Sequence, residues 1–220
     1  MLARYRLHYG RDKDLIYISH LDLMRFWERA FRRARIPLAY TEGFTPHPRI
    51  SLASPLPLGI SSEAELLDVF LQIFLPPPSL FESLKKQMPS GIGLYRAWRL
   101  PAEAPSLQSQ TQFAEYLVNL DSNKSDEEIQ DAIKSFLLKE DIPWQHSRDT
   151  GPRRYNLRLL VKELRLVSCK DGRCSLGMKL KSDATGSGRP EQVALALGFE
   201  QYPVSIHRTG LVLKGAGFIS

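Results

Sequence analysis

The sequence contains few cysteines and no long apolar run, and both absences exclude whole classes of protein. Its 220 residues include two cysteines, too few for a scaffold held by several disulfides or for an iron–sulfur cluster that needs three thiolates. No apolar run approaches the length of a membrane span, and the first residues lack the apolar core of a signal peptide. We therefore expect a cytoplasmic protein with reduced cysteines.

The two cysteines, Cys169 and Cys174, flank a predicted Lys-Asp-Gly-Arg turn. Such a pair could supply half of a zinc site, because thiolates are preferred zinc ligands. No histidine lies near them in the sequence to complete the site, so cysteines that are incidental to a turn are the better interpretation. We predict neither a metal site nor a cofactor.

Cationic residues are in excess and are clustered along the chain. The formal net charge of +6 and the pI near 9.4 favour a polyanionic partner only mildly. Residues 148–181 contain ten Lys or Arg against three acids. The helix predicted after Ser19 adds five arginines against Asp22 and Glu28. These two segments are where a polyanion would bind.

Hydrophobic periodicity predicts a similar order of elements in both halves of the chain. In the first half, an arginine-rich helix follows Ser19 and a short helix follows residue 79, among strands predicted over 2–9, 15–18, 38–40, 49–58, 65–75 and 91–100. In the second half, helices begin near Ser125 and Pro190, among strands predicted over 113–120, 142–148, 155–168, 176–181 and 204–213.

Between the halves, residues 101–109 are rich in Pro, Ala, Ser and Gln and are the best candidate for a linker. The predicted fold is α+β, with two tandem ferredoxin-like units of order β-α-β-β-α-β and antiparallel sheets. The units are predicted to cover residues 1–101 and 110–220.

The helix after Ser19 has two contrasting faces. Ser19 and Asp22 have the spacing of a capping box, and an apolar stripe follows with helical period: Met24, Trp27, Phe31 and Ala34. Another face is cationic and comprises Arg25, Arg29, Arg32 and Arg33. The arginines could simply form a solvated face, which a Glu28–Arg32 pair would support. Arginine also suits bidentate phosphate contacts, so anion binding is an equal alternative.

Residues 43–49, Gly-Phe-Thr-Pro-His-Pro-Arg, predict a stiff loop that presents three functional side chains. Phe44 could stack on a base, and His47 and Arg49 could contact phosphate. The alternative is that His47 only orders its own loop. For binding, the two interpretations are evenly balanced.

His20 and His47 are the weak catalytic candidates. Together with Tyr17 or Tyr40 and a nearby arginine, they could cleave RNA by general acid–base chemistry. His20 would lie at a helix N-terminus, which favours the neutral imidazole. The preferred alternative is a capping or packing contact for His20 and a loop contact for His47.

The second basic cluster falls on predicted strands and includes Arg153, Arg154, Arg158, Lys179 and Lys181. A cationic sheet face could contact the backbone of RNA. These strands lack the aromatic pair that would stack bases, so sequence-specific recognition is not expected there. A Gly-Ser-Gly segment at 186–188 is only weak support for a phosphate site.

Several of these motifs resemble one family. The segments 18–25, 43–50, 57–60 and 188–193 resemble the radical-SAM-linked domain family of unknown function, whose members occur alone or at the C-terminus of radical-SAM proteins. The resemblance spans nearly the whole chain and implies a radical-SAM partner, but no reaction.

Three functions follow as hypotheses. The leading one is a non-catalytic RNA-binding or adaptor module that acts with a radical-SAM partner in RNA- or ribosome-related metabolism. The second is a metal-independent ribonuclease, and the third is a pure protein-interaction domain. For the first, the predicted contact residues are Arg25, Arg29, Arg32, Phe44, His47 and Arg49, assisted by the second cluster.

Overall fold

The computed structural model describes residues 2–146, 151–215 and 218–219. It shows a mixed α+β protein with antiparallel strand pairing, which confirms the α+β class and the antiparallel sheets of the prediction. The chain divides into two units, one formed by Met1–Thr111 with Leu213–Ser220 and the other by Gln112–Val212. None of the helices in the described ranges is long and apolar enough to span a membrane.

The strands and helices of the first unit follow the predicted order, except that residues 15–18 are not a strand and residues 38–40 form only isolated bridges. Their bounds are β1 Ala3–Arg11, α1 His20–Arg33, β2 Ile50–Leu52, β3 Ile60–Leu71, α2 Pro77–Lys85, β4 Ile92–Leu100 and the short α3 Leu107–Gln110. Strand β1 pairs with β3 and β4, and β3 also pairs with β2, all antiparallel. The sheet order is therefore β4-β1-β3-β2.

The two faces of this sheet differ in chemistry because side chains alternate along β1. One face, with Tyr5 and Leu7, packs against apolar residues of α1 and α2 in a single buried core. The other face carries Arg4, Arg6 and His8, which are also buried. We call this second side the polar face of the first unit.

Two buried arginines on the polar face share one carboxylate. Asp68 accepts hydrogen bonds from Arg4 Nη2 at 2.7 Å and from Arg6 Nε at 2.7 Å, and its side chain is fully buried. The remaining donors reach the segment after β4: Arg4 bonds the carbonyl groups of Ala104 and Pro105, and Arg6 bonds Gln110 Oε1. The segment predicted as a linker is thus fastened to the first unit.

The second unit has a similar element order with one insertion. Its bounds are β5 Thr111–Asp121, α4 Asp126–Leu138, β6 Pro143–His146, β7 Arg153–Asn156, β8 Val161–Lys170, β9 Arg173–Asp183, β10 Gly186–Ser187, α5 Pro190–Ala196 and β11 Ser205–Leu213, and β12 Phe218–Ile219 belongs to the first unit. The sheet order is β11-β5-β9-β8, and β6 pairs with β7 in a separate small sheet.

The prediction of one long strand over 155–168 is wrong, because Asn156 interrupts it. Its Oδ1 accepts hydrogen bonds from the N–H groups of Ile142 and Arg158, and its Nδ2 donates to Glu140 O. These bonds end β7 and start a 3-10 turn, Leu157–Leu160, before β8 begins. The end of the strand predicted over 142–148 lies outside the described residues.

Two further local predictions are corrected. Residues 15–18 do not form a strand, because Asp12 caps a 3-10 turn at Lys13–Leu15. Cys169 and Cys174 face one another across the β8–β9 hairpin with their sulfur atoms at bonding distance, an arrangement that the sequence prediction of separate, reduced thiols did not include.

Candidate nucleic-acid interface

Helix α1 is fixed at its N-terminus and along its apolar face. The Ser19 hydroxyl accepts from Asp22 N–H at 3.1 Å and donates to the Asp22 carboxylate at 2.7 Å. Asp22 therefore bonds the cap's hydroxyl, whereas the longer Glu128 in the second unit also reaches the backbone N–H of Ser125. Trp27 and Phe31 are fully buried, as the apolar period predicts.

This anchoring leaves the predicted arginines exposed on one stripe of α1. Arg25, Arg29 and Arg32 follow one another at helical spacing, and all three are exposed. Arg25 lies 3.4 Å from Asp22, and Arg32 lies 2.7 Å from Glu28. Exposed pairs of this kind contribute at most about 1 kcal/mol, so a polyanion can displace them at little cost.

The loop between Ala39 and Arg49 is bonded to β3 at both ends. Both ends of the loop lie on β3, where Ala39 N–H donates to Phe70 O at 2.8 Å and Phe70 N–H donates to Arg49 O at 3.0 Å. Within it, Thr41 N–H donates to His47 O at 2.9 Å, and His47 N–H donates to Thr41 Oγ1 at 3.0 Å. Together with two prolines, these bonds restrict the backbone of the loop, and its stiffness stays a prediction.

Phe44 stands at the tip of this braced loop in complete exposure. Its relative accessibility is 106%, and the adjacent Gly43 has a φ of 124°, a conformation that favours glycine. A fully hydrated aromatic ring contributes nothing to the core. Its placement on a rigid loop is what a stacking or docking contact requires.

Arg49 belongs to the polar face and not to the loop tip. Its guanidinium lies 4.0 Å from the centre of the Phe70 ring, and the side chain is half-buried. Arg4 approaches the same ring at 5.4 Å. The structure thus separates Arg49 from Phe44, which the sequence places together.

The catalytic candidates His20 and His47 are both exposed. His20 is the first residue of α1, and the described bonds of His47 are made by its backbone. Within the described ranges, neither imidazole is hydrogen-bonded or ion-paired to an acid or to the other ring. Acid–base catalysis by this pair stays a prediction that no contact favours.

The two lysines of the second cluster are paired with acids. Lys179 lies 3.0 Å from Glu115 and 3.8 Å from Glu163, and its hydrogen bond to Glu115 raises the pKa of its ammonium group. Lys181 lies 3.8 Å from Asp183. The two lysines share a face, as their spacing predicts, but each has an acidic partner on the protein itself.

The arginines of the second unit have varied roles. Arg158 is half-buried and donates to the carbonyl groups of Leu137 and Val161. Arg154 is exposed on the small hairpin, where its Nε bonds Gln145 Oε1 at 3.2 Å. Arg153 begins β7, and its side chain lies outside the described part of the structure. Arg158 therefore has a structural role that the sequence pattern did not indicate.

Sequence reasoning also missed Arg11, which joins two motifs. Its guanidinium donates to Ile18 O before α1 and to the carbonyl groups of Pro57 and Ile60 before β3. Gly59 N–H donates to Ile16 O across the same junction. A charged residue in an otherwise alternating strand was the only signal in the sequence.

His8 on the polar face makes stability depend on pH. Burial lowers the pKa of its imidazole below 6.5 and outweighs the hydrogen bond to Glu63 O and the charge of Glu65, while Arg96 lowers it further. The unfolded chain takes up this proton at higher pH, so we expect stability to fall as the pH drops below 6.5. Urea unfolding over a pH series would measure it. His8→Gln should flatten the slope, and an unchanged slope would contradict the assignment.

Comparison with protein-family models shows the family of this chain. The model of the family described as "Uncharacterized protein conserved in bacteria (DUF2344)" matches residues 4–190. The chain belongs to this family. The match covers α1, the loop between Ala39 and Arg49 (from here on the 41–49 loop) and most of the second unit. No protein of curated function matches this DUF2344 member.

Solved structures show likeness of fold. A chain in the crystal structure of a Cbf5-Nop10-Gar1 complex aligns with a TM-score of 0.51 at 10% identity, over 94% of this chain and 48% of that one. A chain of the archaeal box H/ACA sRNP Nop10-Cbf5 complex aligns at 0.46 with 10% identity, over 93% and 46%. The DUF2344 chain thus spans about half the length of these solved chains.

Among the described residues, no group of three or more His, Cys, Asp or Glu could hold a metal ion.

Proposed function

We propose that the chain is a non-catalytic RNA-binding module whose contact surface is formed by the arginine stripe of α1 and the 41–49 loop. The observation on which the proposal rests is the complete exposure of Phe44 on a loop braced at both ends. Because the loop that carries the ring is bonded at both ends, less backbone entropy is lost when a base stacks on Phe44 than on an unanchored segment.

The charge distribution supports the same surface. Arg25, Arg29 and Arg32 are exposed, and the ion pairs of Arg25 with Asp22 and of Arg32 with Glu28 are weak surface pairs. Arginine can bind phosphate through two parallel hydrogen bonds. Lys179 and Lys181 are paired with acids. We therefore assign the main contacts to the first unit and only long-range steering to exposed second-unit cations such as Arg154.

We also propose that the two units are tandem ferredoxin-like units. The support is the strand order, β4-β1-β3-β2 in the first unit and β11-β5-β9-β8 in the second. A four-stranded sheet of this general kind is a frequent scaffold for single-stranded RNA.

The motif resemblance supports a further proposal, that the chain acts as an adaptor for a radical-SAM protein. A pull-down of the tagged chain at low and moderate salt would test both partners in one sample. RNA that dissociates as salt rises supports the RNA-binding module. A radical-SAM protein recovered without RNA would make the arginine stripe a protein-docking face.

Removing two arginines of the stripe should weaken RNA binding and its salt dependence. For Arg25→Gln/Arg29→Gln we expect about tenfold lower affinity for a single-stranded oligonucleotide at about 0.1 M salt. The slope of log affinity against log salt should fall in magnitude by about 1.4, since each lost phosphate contact removes about 0.7. Fluorescence anisotropy at several salt concentrations would measure both.

The matched control is Lys85→Gln/Lys86→Gln, which removes the same charge from α2 of the same unit. It should change the affinity less than about twofold, because long-range effects of exposed charge are screened. Phe44→Ala should lower the affinity without changing the salt slope. Equal losses in the two double variants would mean that net charge, and not the stripe, governs binding.

A further inference from the structure

A bulge in the edge strand β4 turns two adjacent side chains towards the polar face. In the register with β1, Tyr9 pairs with Leu94 and His8 pairs with Arg96, so Tyr95 is the additional residue. The Tyr95 ring meets the His8 ring edge-on at 5.0 Å. Tyr95 and Arg96 therefore share a face, which a regular strand would not allow.

Trp98 extends this surface along the same strand. It lies opposite Arg6, so its side chain is on the polar face. The Arg96 guanidinium lies 5.2 Å from the centre of the Trp98 ring. Arg96 is exposed and Trp98 is half-buried. A cation thus lies beside the Trp98 ring and next to Tyr95 along the strand.

A pair of glycines lets the Tyr95 ring lie directly on the sheet. Gly10 and Gly93 are opposite one another on β1 and β4. A Cβ atom added at Gly10 would come within 2.2 Å of Tyr95 Oη, and one at Gly93 within 2.8 Å of Tyr95 Cε1. One side of the ring covers the glycine backbone, and Tyr95 remains 50% exposed.

We propose that Tyr95, Arg96 and Trp98, here called the β4 platform, stack the unpaired bases of single-stranded RNA. The inference deepens the proposed function and rests on it, adding a site specific for single strands to the charge-driven surface of α1. Every base offers a π-face to an aromatic ring, and arginine both stacks and binds phosphate.

Charge differs along the β4 platform. Burial raises the pKa of the Tyr95 hydroxyl, and the negative charges of Glu63 and Asp12 raise it further. The Arg96 guanidinium, 5.2 Å from the centre of the Trp98 ring, is the cation of the platform and can attract a phosphate group.

The test compares single-stranded and duplex RNA on the full chain. Fluorescence anisotropy would measure the affinity for an oligoadenylate of about ten nucleotides and for a hairpin duplex with the same number of phosphates. Trp98→Leu and Tyr95→Leu should each lower the single-strand affinity about tenfold and leave the duplex affinity within about twofold. Tyr95→Phe keeps the ring and should bind like the parent chain.

Two outcomes would overturn the β4 platform. Unchanged single-strand affinity in both leucine variants would show that the rings only shield the glycine pair, and equal losses for duplex and single strand would show a general defect. The Arg25→Gln/Arg29→Gln variant, measured in parallel, separates the two proposals. If only this variant loses affinity, the platform proposal fails and the α1 surface stands. If only the platform variants lose affinity, the α1 surface fails and the platform stands.

Discussion

Replacing Asp68 by asparagine should destabilise the first unit by about 3–5 kcal/mol. The Asp68 side chain is fully buried, and its two oxygens accept from Arg4 Nη2, Arg6 Nε and Arg6 Nη2 at 2.7, 2.7 and 3.0 Å. The amide would leave two buried guanidinium groups without a counter-charge, and its NH2 would face donors. A loss of this size is a large part of the stability of a typical domain.

Urea unfolding followed by far-UV circular dichroism would measure the change in free energy. The matched control is Glu28→Gln, which removes a carboxylate 2.7 Å from Arg32, a guanidinium whose side chain is 71% exposed. This control should cost no more than about 1 kcal/mol. Similar costs for the two variants would mean that the buried cluster is solvated in the native protein.

Trp27→Ala should cost a similar amount, about 3–5 kcal/mol, by leaving a cavity beneath α1. Trp27 is fully buried, and its ring lies 5.0 Å from that of Tyr9 on β1 and 5.2 Å from that of Phe26. The side chain joins the arginine-bearing helix to the centre of the sheet. Its loss should loosen that helix as well as lower stability.

Leu21→Ala is the matched control on the same helix, because Leu21 is 66% exposed. It should change stability by less than about 0.5 kcal/mol. Unfolding in urea gives the stability, and RNA affinity well below the unfolding transition tests the link to binding. If Trp27→Ala lost stability but bound RNA as tightly as the parent chain, Arg25 and Arg29 would not depend on the anchoring of α1.

The buried arginines of the polar face also hold the segment that follows β4. Arg4 and Arg6 hold the segment from Ala104 to Gln110 against the first unit. The β4 platform lies on the same face, on strand β4, whereas Arg49 is bonded to β3. If the ion pairs of Asp68 with Arg4 and Arg6 are weakened, the segment after β4 should therefore detach from the first unit before the arginine stripe of α1 is affected.

Much of the architecture was predictable because its signals are local. The start of α1 follows from Ser19 and the buried period of Trp27 and Phe31, contacts made three or four residues apart. The other main helices and most of the strands followed in the same way, but the strand predicted over 15–18 and the unbroken strand predicted over 155–168 did not form. The stiffness of the 41–49 loop was also readable, since its prolines restrict the chain without help from distant residues.

What the sequence could not determine depends on residues far apart in the chain. Lys179 on β9 has a counter-charge because Glu115, on β5, comes to lie 3.0 Å from it. The candidate linker is held because Arg4 and Arg6 reach it from β1, about a hundred residues earlier. The sequence alone determined helices, strands and exposed motifs through short-range sterics and periodicity. Only the tertiary structure decided which charges remain available, because burial and counter-charges come from strands that meet only on folding.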